Sequence, residues 1–248
     1  MKTFKTKVKD FIYDKIKENI FPLNYTCNCC EKEVFDKEYF CKDCQSEIFK
    51  IDQNRCNHCG RKTVYSVAYC DSCIDKNLEF FEARSLYEYK GKIPKLIKDL
   101  KYAEKTYLID VFLQDLKKLY FTRFYNCDVV VGVPMTKSAL KDRGYNQAQI
   151  LAKKLAKELD LKYDGELVKK VKETERQATL DVVERSKNLK GAFKVDNNKF
   201  KYKNVLLVDD VLTTGTTCNL ISELLKKKGV DKVFVLTIAS VQKEYEQK

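Results

Sequence analysis

The chain has 248 residues, with 48 Lys and Arg against 36 Asp and Glu (net charge +12), 11 cysteines, one histidine and no tryptophan. That length suits one enzyme-sized domain of about 150 residues plus a smaller module. No stretch approaches the roughly 18 apolar residues of a membrane span, and MKTFKTKVKD lacks the apolar run of a secretory leader, so a soluble cytoplasmic protein without disulfides is expected. The positive balance suits polyanionic partners such as nucleic acid or a pyrophosphate compound, although scattered lysines also serve simply to solvate a surface.

Residues 1–24 place Phe4, Val8, Phe11, Ile12, Ile16 and Ile20 at helical spacing with lysines opposite, which predicts an amphipathic leader helix docked on the body of the protein and ended by Phe21 and Pro22. Nine of the cysteines then fall between Cys27 and Cys73. Cys27, Cys30, Cys41 and Cys44 read CxxC, ten residues, CxxC, and Cys56, Cys59, Cys70 and Cys73 repeat that spacing. Two thiolates separated by two residues face one ion from a tight knuckle, and a hairpin brings the second pair to complete a tetrahedron. Residues 25–75 are therefore read as a double Zn²⁺ module with two structural sites. Spacing leaves open whether each quartet binds its own ion or Cys27 and Cys30 pair with Cys56 and Cys59 in a cross-brace. Gly60 supplies the permissive backbone that the second knuckle needs. Cys29 is a spare thiol, and His58 reads as an exposed knuckle residue rather than a ligand. The absence of any other histidine excludes a histidine general base elsewhere in the chain. Tyr25, Phe35, Tyr39, Phe40, Tyr65 and Tyr69, interleaved with lysines, serve either to stack single-stranded bases or to fill a small metal-dependent core.

Residues 76–248 alternate strand and helix patterns. Leu78–Tyr89 reads as a strand, 93–120 as helical, Asp128–Pro134 as a buried strand stopped by proline, Tyr145–Leu159 as a helix, and Lys232–Ala239 as a closing strand. The order is that of a parallel α/β sheet flanked by helices, whose ligands sit at the strand carboxyl ends. Its most informative stretch is LLVDDVLTTGTT, Leu206 to Thr217. An apolar β-branched strand, Val205 to Val208, stops at Asp209 and Asp210. A loop of small hydroxyl residues follows, then a helix from Cys218 to Lys228 with Leu220, Ile221, Leu224 and Leu225 on one face. Loose amides and the positive end of a helix dipole converge there to make an anion cradle. A nucleotide site of the GxxxxGK[ST] kind needs a lysine that is missing here, and acids beside an anion suit sugar hydroxyls instead. Cys218, at the helix start, reads as a small packing residue.

VLLVDDVLTTGTT resembles the phosphoribosyl pyrophosphate (PRPP) signature of type I phosphoribosyltransferases at every defined position. The resemblance implies that Asp209 and Asp210 hold the ribose 2′ and 3′ hydroxyls. It also implies that Val211, Leu212, Thr213, Thr214, Gly215, Thr216 and Thr217 form the loop around the 5′-phosphate. Two further segments, Arg143-Gly144-Tyr145-Asn146-Gln147-Ala148 and the set Gln177, Leu180, Arg185, Asn188, Ala192 and Phe193, resemble the ComF family of competence-associated phosphoribosyltransferase-like proteins. Phe21-Pro22 before the cysteines and Ile97-Lys98-Asp99-Leu100-Lys101-Tyr102 extend that match along the chain. Gly132-Val133-Pro134 departs from the family's P-x-P at the end of the first core strand. What the resemblance implies is a type I phosphoribosyltransferase fold with an N-terminal zinc module and PRPP bound with Mg²⁺. Lys137 and Arg143, just past the Val133-Pro134 strand end, are the candidates for pyrophosphate contact, with a salt bridge anchoring the RGYNQ turn as the other reading of Arg143. Residues 176–185 occupy the place of a mobile lid in related enzymes, and Gln177, Arg185 and Asn188 read equally as structural pins. Transfer to an acceptor that the sequence does not identify would make it a glycosyltransferase. The expected role is uptake or processing of transforming DNA, with single-stranded DNA and a DNA-uptake helicase as partners. A nucleobase-salvage enzyme and a PRPP-sensing regulator without turnover stay open.

Overall fold

The computed structural model describes residues 26–34, 38–74, 76, 78–103, 105–124, 126–173, 191–196 and 201–242. The leader segment 1–24, Tyr25, Phe35 and the stretch with Gln177, Leu180, Arg185 and Asn188 lie outside the described residues. Two compact units divide the chain, Met1–Glu47 and Ile48–Lys248, and the boundary falls between the two cysteine quartets.

In the first unit Thr26 bridges Glu33 across a tight turn, in which the Cys27 amide donates to the Lys32 carbonyl at 2.7 Å and the Glu31 amide to the Cys27 carbonyl at 2.8 Å. Helix α1, Lys42–Ser46, starts on Cys41 and buries Cys44. The second unit opens with the same turn. Arg55 bridges Lys62, and the Cys56 and Gly60 amides donate to the Arg61 and Cys56 carbonyls, both at 2.9 Å. Helix α2, Asp71–Ile74, then carries Cys73.

The larger part of the second unit runs β1 (Glu82–Glu88), α3 (Ile93–Tyr102), α4 (Leu108–Arg123), β2 (Val129–Gly132), α5 (Lys137–Arg143), α6 (Gln147–Leu159), β3 (Lys162–Tyr163), β4 (Val168–Lys170), β5 (Phe193–Val195), β6 (Asn204–Leu212), α7 (Thr216–Lys226) and β7 (Lys232–Ser240). Five strands pair in parallel in the order β1-β7-β6-β2-β3, and β4 pairs antiparallel with β5. Val205 to Val208 have no exposed surface, as a strand covered on both faces requires. Alternate residues Val129, Val131, Val205, Leu207, Val233 and Val235 share one core with Ile221 and Leu225 of α7 and, less expectedly, with Cys56, Cys59, Cys70 and Cys73. Helices α4 and α6 pack on each other and on the sheet.

Some elements differ from their expected bounds. The strand expected over Leu78–Tyr89 narrows to β1. The helical pattern over 93–120 is two helices: the first closes where the Ala103 amide donates to Asp99, and the second starts at Leu108. Helix α5 was not expected, although its punctuation is local: Thr136 caps the Ala139 amide and Gly144, at φ 83°, ends it.

Candidate functional site

β6 lies between β7 and β2 and delivers both acids to the carboxyl edge of the sheet. Successive residues of a strand face opposite sides, so Asp209 and Asp210 diverge while sharing one cavity of about 430 Å³. Tyr89, Lys101, Thr213, Gly215 and Thr217 also line it. At its floor Gly215 has φ 82°, a backbone that a side chain disfavours, and it precedes α7 without a capping side chain. The start of a helix whose N-cap is a glycine brings the positive end of the dipole to this cavity, which suits an anion. Thr214 and Thr216 hydroxyls pair at 2.7 Å, and the Thr216 amide donates to Thr214 Oγ1 at 3.3 Å.

The two acids are held differently. Asp210 is buried and its Oδ2 accepts from Lys101 Nζ at 2.8 Å and from Gln147 Nε2 at 2.9 Å. Asp209 accepts the Asp210 backbone amide at 2.9 Å. Burial, then the charge of Asp210, pushes the Asp209 carboxyl up to about 8. Burial lowers the Lys101 ammonium, but the Asp210 and Asp209 carboxylates outweigh it and the net shift is upward. Lys101 was visible only as part of a family-like hexapeptide; its position across the cavity joins residues more than 100 apart in sequence, which leaves no local pattern. Burial raises the Cys218 thiol further, with both acids adding to it, so this cysteine is a packed side chain at the helix start.

The Arg143–Gln147 segment is a bracket for this edge. Asn146 Oδ1 caps α6 by accepting from Ala148 and Gln149 amides at 3.0 and 3.2 Å, while its Nδ2 donates to Val133 O at 3.0 Å. Tyr145 reaches the Leu100 carbonyl through its hydroxyl. Arg143 Nη1 donates to Gln147 Oε1 at 2.9 Å, and its guanidinium lies 4.8 Å from the centre of the Tyr102 ring. Arg143 thus reaches Asp210 through Gln147 and does not line the acid cavity. Lys137, exposed, lines a separate cavity of about 760 Å³ with Pro134, Asn146 and Glu173.

The cysteines form two separate sets, Cys27-Cys30-Cys41-Cys44 and Cys56-Cys59-Cys70-Cys73, with all four sulfurs of each within 4.8 Å of one another. The sulfurs therefore gather quartet by quartet in sequence order, and no cross-braced set forms among the described residues. Sulfur pairs stand 3.6 Å apart for Cys30 and Cys41 and for Cys59 and Cys70, and 3.8 Å for Cys56 and Cys73. A tetrahedron with zinc–sulfur bonds of about 2.3 Å has edges of about 3.8 Å, so these sets fit Zn²⁺. Cys29 is buried outside its set. His58 is no ligand, and it is half-buried rather than exposed: it stacks on Phe80 at 5.0 Å and 14°, and burial lowers its pKa.

Residues 116–248 match the family model described as the phosphoribosyl transferase domain, and residues 16–74 match the double zinc ribbon domain. With the parallel sheet and the two sulfur sets, these define a type I phosphoribosyltransferase-fold protein with an N-terminal double zinc ribbon. The chain is 33% identical to competence protein F of Haemophilus influenzae over 74% of this chain and 83% of that protein. It is 28% identical to the DNA utilization protein YhgH of Escherichia coli (75% and 84% covered) and to competence protein ComFC of Bacillus subtilis (73% and 75%). The chain belongs to the competence protein F family. Among solved structures it is similar to orotate phosphoribosyltransferase from Aeropyrum pernix, at 20% identity, 63% and 68% coverage and a TM-score of 0.36. It is also similar to an adenine phosphoribosyltransferase from Giardia lamblia, at 18%, 58% and 72%, and 0.36. The fold assignment rests on the strand order and the family match.

Proposed function

We propose that the protein binds PRPP with Mg²⁺ in the cavity of Asp209 and Asp210 and acts on transforming single-stranded DNA. The observation that carries the first part is the convergence of two acids, a helix start on Gly215 and a hydroxyl-rich loop on one cavity of about 430 Å³. The acids suit the ribose diol, and the Thr213–Thr217 loop suits the 5′-phosphate. Among the described residues no cluster of acids forms a protein-only cation cage, which fits Mg²⁺ held chiefly by pyrophosphate oxygens. Lys101, already paired to Asp210, is a cation within reach of the same cavity. Arg143 supports Asp210 through Gln147. The second part is supported by the competence and DNA-utilization roles for which the relatives are named, by the +12 balance and by Tyr65 and Tyr69, exposed in the second knuckle.

Calorimetric titration of the purified chain with PRPP and Mg²⁺ tests the reading. Above about pH 8, where both acids are charged, Asp209→Asn with Asp210→Asn removes charge-assisted acceptance of two hydroxyl protons, each worth roughly 1.5 to 3 kcal/mol, so affinity falls by at least about tenfold. A double variant that binds like the parent overturns the assignment. In the parent, affinity should rise as pH climbs through about 8, because Asp209 then loses the proton that burial favours and becomes the stronger acceptor. The Asp209→Asn variant should lack that rise. Single-stranded DNA in the same cell should bind with a log-log salt slope near −0.7 per phosphate contact.

A further inference from the structure

We propose that the second zinc knuckle sets the conformation of the phosphate-binding loop, with Arg61 and Lys76 as positioning residues. The proposal rests on reading Thr213–Thr217 as that loop. Arg61 follows the Cys56–Cys59 knuckle by two residues, is buried, and donates through Nη2 to the Thr213 carbonyl. Lys76, three residues past Cys73, donates to the Thr214 carbonyl at 3.4 Å. In a planar trans peptide the carbonyl of one residue and the amide of the next point in opposite directions. Two cations drawing the Thr213 and Thr214 carbonyls toward the knuckle therefore turn the Thr214 and Gly215 amides the other way, toward the side on which an anion is held. They also remove two carbonyl oxygens that would repel a phosphate.

The knuckle is able to act as a fixed point because it is anchored elsewhere. The Ala83 amide of β1 donates to the His58 carbonyl at 2.7 Å. Arg84, 1% exposed, donates to the Asn57 and Ala83 carbonyls at 2.9 and 2.6 Å and pairs with Glu82. His58 stacks on Phe80, and Phe80 is the side chain that a Cβ at Gly215 would meet first, at 3.6 Å. Beyond the loop, Asn219 of α7 accepts the Glu79 amide through Oδ1. From the sulfur set to the start of α7 the path is a run of direct contacts inside one unit.

The experiment is amide hydrogen exchange of the ligand-free, zinc-loaded chain over residues 211–218, paired with PRPP titration, in the parent, Arg61→Ala, Arg61→Lys and Lys32→Ala. Lys32 is the matching residue of the first knuckle and pairs with Asp43 on an exposed face. Arg61→Ala should speed exchange in the loop and weaken PRPP by roughly ten- to a hundredfold while both zinc ions stay bound. Arg61→Lys, which keeps a charged donor, should recover part of both, and Lys32→Ala should change neither. Unchanged loop exchange in Arg61→Ala overturns the proposal. If Arg61→Ala does not fold, Lys76→Ala, at a partly exposed position, decides by the same two readouts with smaller effects. Should the parent not bind PRPP, the functional reading fails, while loop exchange still decides the positioning role.

Discussion

The two zinc knuckles are one design used for two purposes. Cys27-Asn28-Cys29-Cys30 and Cys56-Asn57-His58-Cys59 share ligand spacing, and each closes with matching turn hydrogen bonds and a bridge, Thr26 to Glu33 and Arg55 to Lys62. Even the second residue agrees, with the Asn28 amide donating to Tyr39 at 3.0 Å and the Asn57 amide to Val67 at 2.8 Å. Their surroundings do not. Cys30 is exposed and Cys41 partly so, whereas Cys56, Cys59, Cys70 and Cys73 are at most 7% exposed and belong to the core of the sheet domain. Where the first copy places Glu31 and Lys32, the second places Gly60 and Arg61. The difference teaches that metal spacing fixes the knuckle alone, and that the residues just past it decide what the knuckle is built into.

The largest test of that contrast removes a ligand from each set. Apparent zinc binding in such sites is worth about 10 to 16 kcal/mol, comparable with the whole stability of a domain. Cys59→Ser should therefore abolish cooperative unfolding of the unit from Ile48 onward, because its four sulfurs are also core atoms. Cys30→Ser should lose one zinc per chain and leave the melting of that unit unchanged. Zinc content by mass spectrometry and thermal melts read both. Equal damage from the two variants would break the comparison.

Much of this was legible beforehand, and the reason is that it was local. The acid pair and loop occupy consecutive residues, the quartets are defined by spacing, and β2, β6 and β7 are runs of apolar residues. What escaped was long-range. Lys101 meets Asp210 only when α3 comes across the edge of β6, and Arg61 is one arginine in a knuckle until Thr213 is beside it. The break after Tyr102 escaped because apolar periodicity resumes on the far side, which makes two helices look like one. His58 was read as exposed because knuckle residues usually are; nothing nearby announces that Phe80 will stack on it.

A smaller effect follows from the turn itself. Gly60 has φ 70°, and a Cβ there would lie 2.4 Å from the Ala83 carbonyl oxygen, which is backbone and unable to swing aside. Gly60→Ala combines left-handed strain with a clash against β1. It should cost about 2 to 5 kcal/mol in denaturant unfolding of the second unit. A cost under 1 kcal/mol would mean that the knuckle is docked more loosely than Arg84 and Ala83 imply.

The mirror substitution is the mildest test. Glu31 occupies the same place in the first turn with φ 64° and an exposed side chain, so a non-glycine residue stands in the left-handed region. Glu31→Gly relieves about 1 to 2 kcal/mol of backbone strain in the folded turn. It also adds freedom to the unfolded chain, which costs roughly 0.5 to 1 kcal/mol. The net is a gain of between zero and about 1.5 kcal/mol, read as slower loss of the first zinc to a chelator. Gly60, with a similar φ of 70°, has no such latitude, because the Ala83 carbonyl oxygen stands where a Cβ would go. A loss above about 2 kcal/mol would show that the Glu31 side chain holds the first knuckle in place, and the two turns would then differ in what their fifth residue does as well as in what surrounds it.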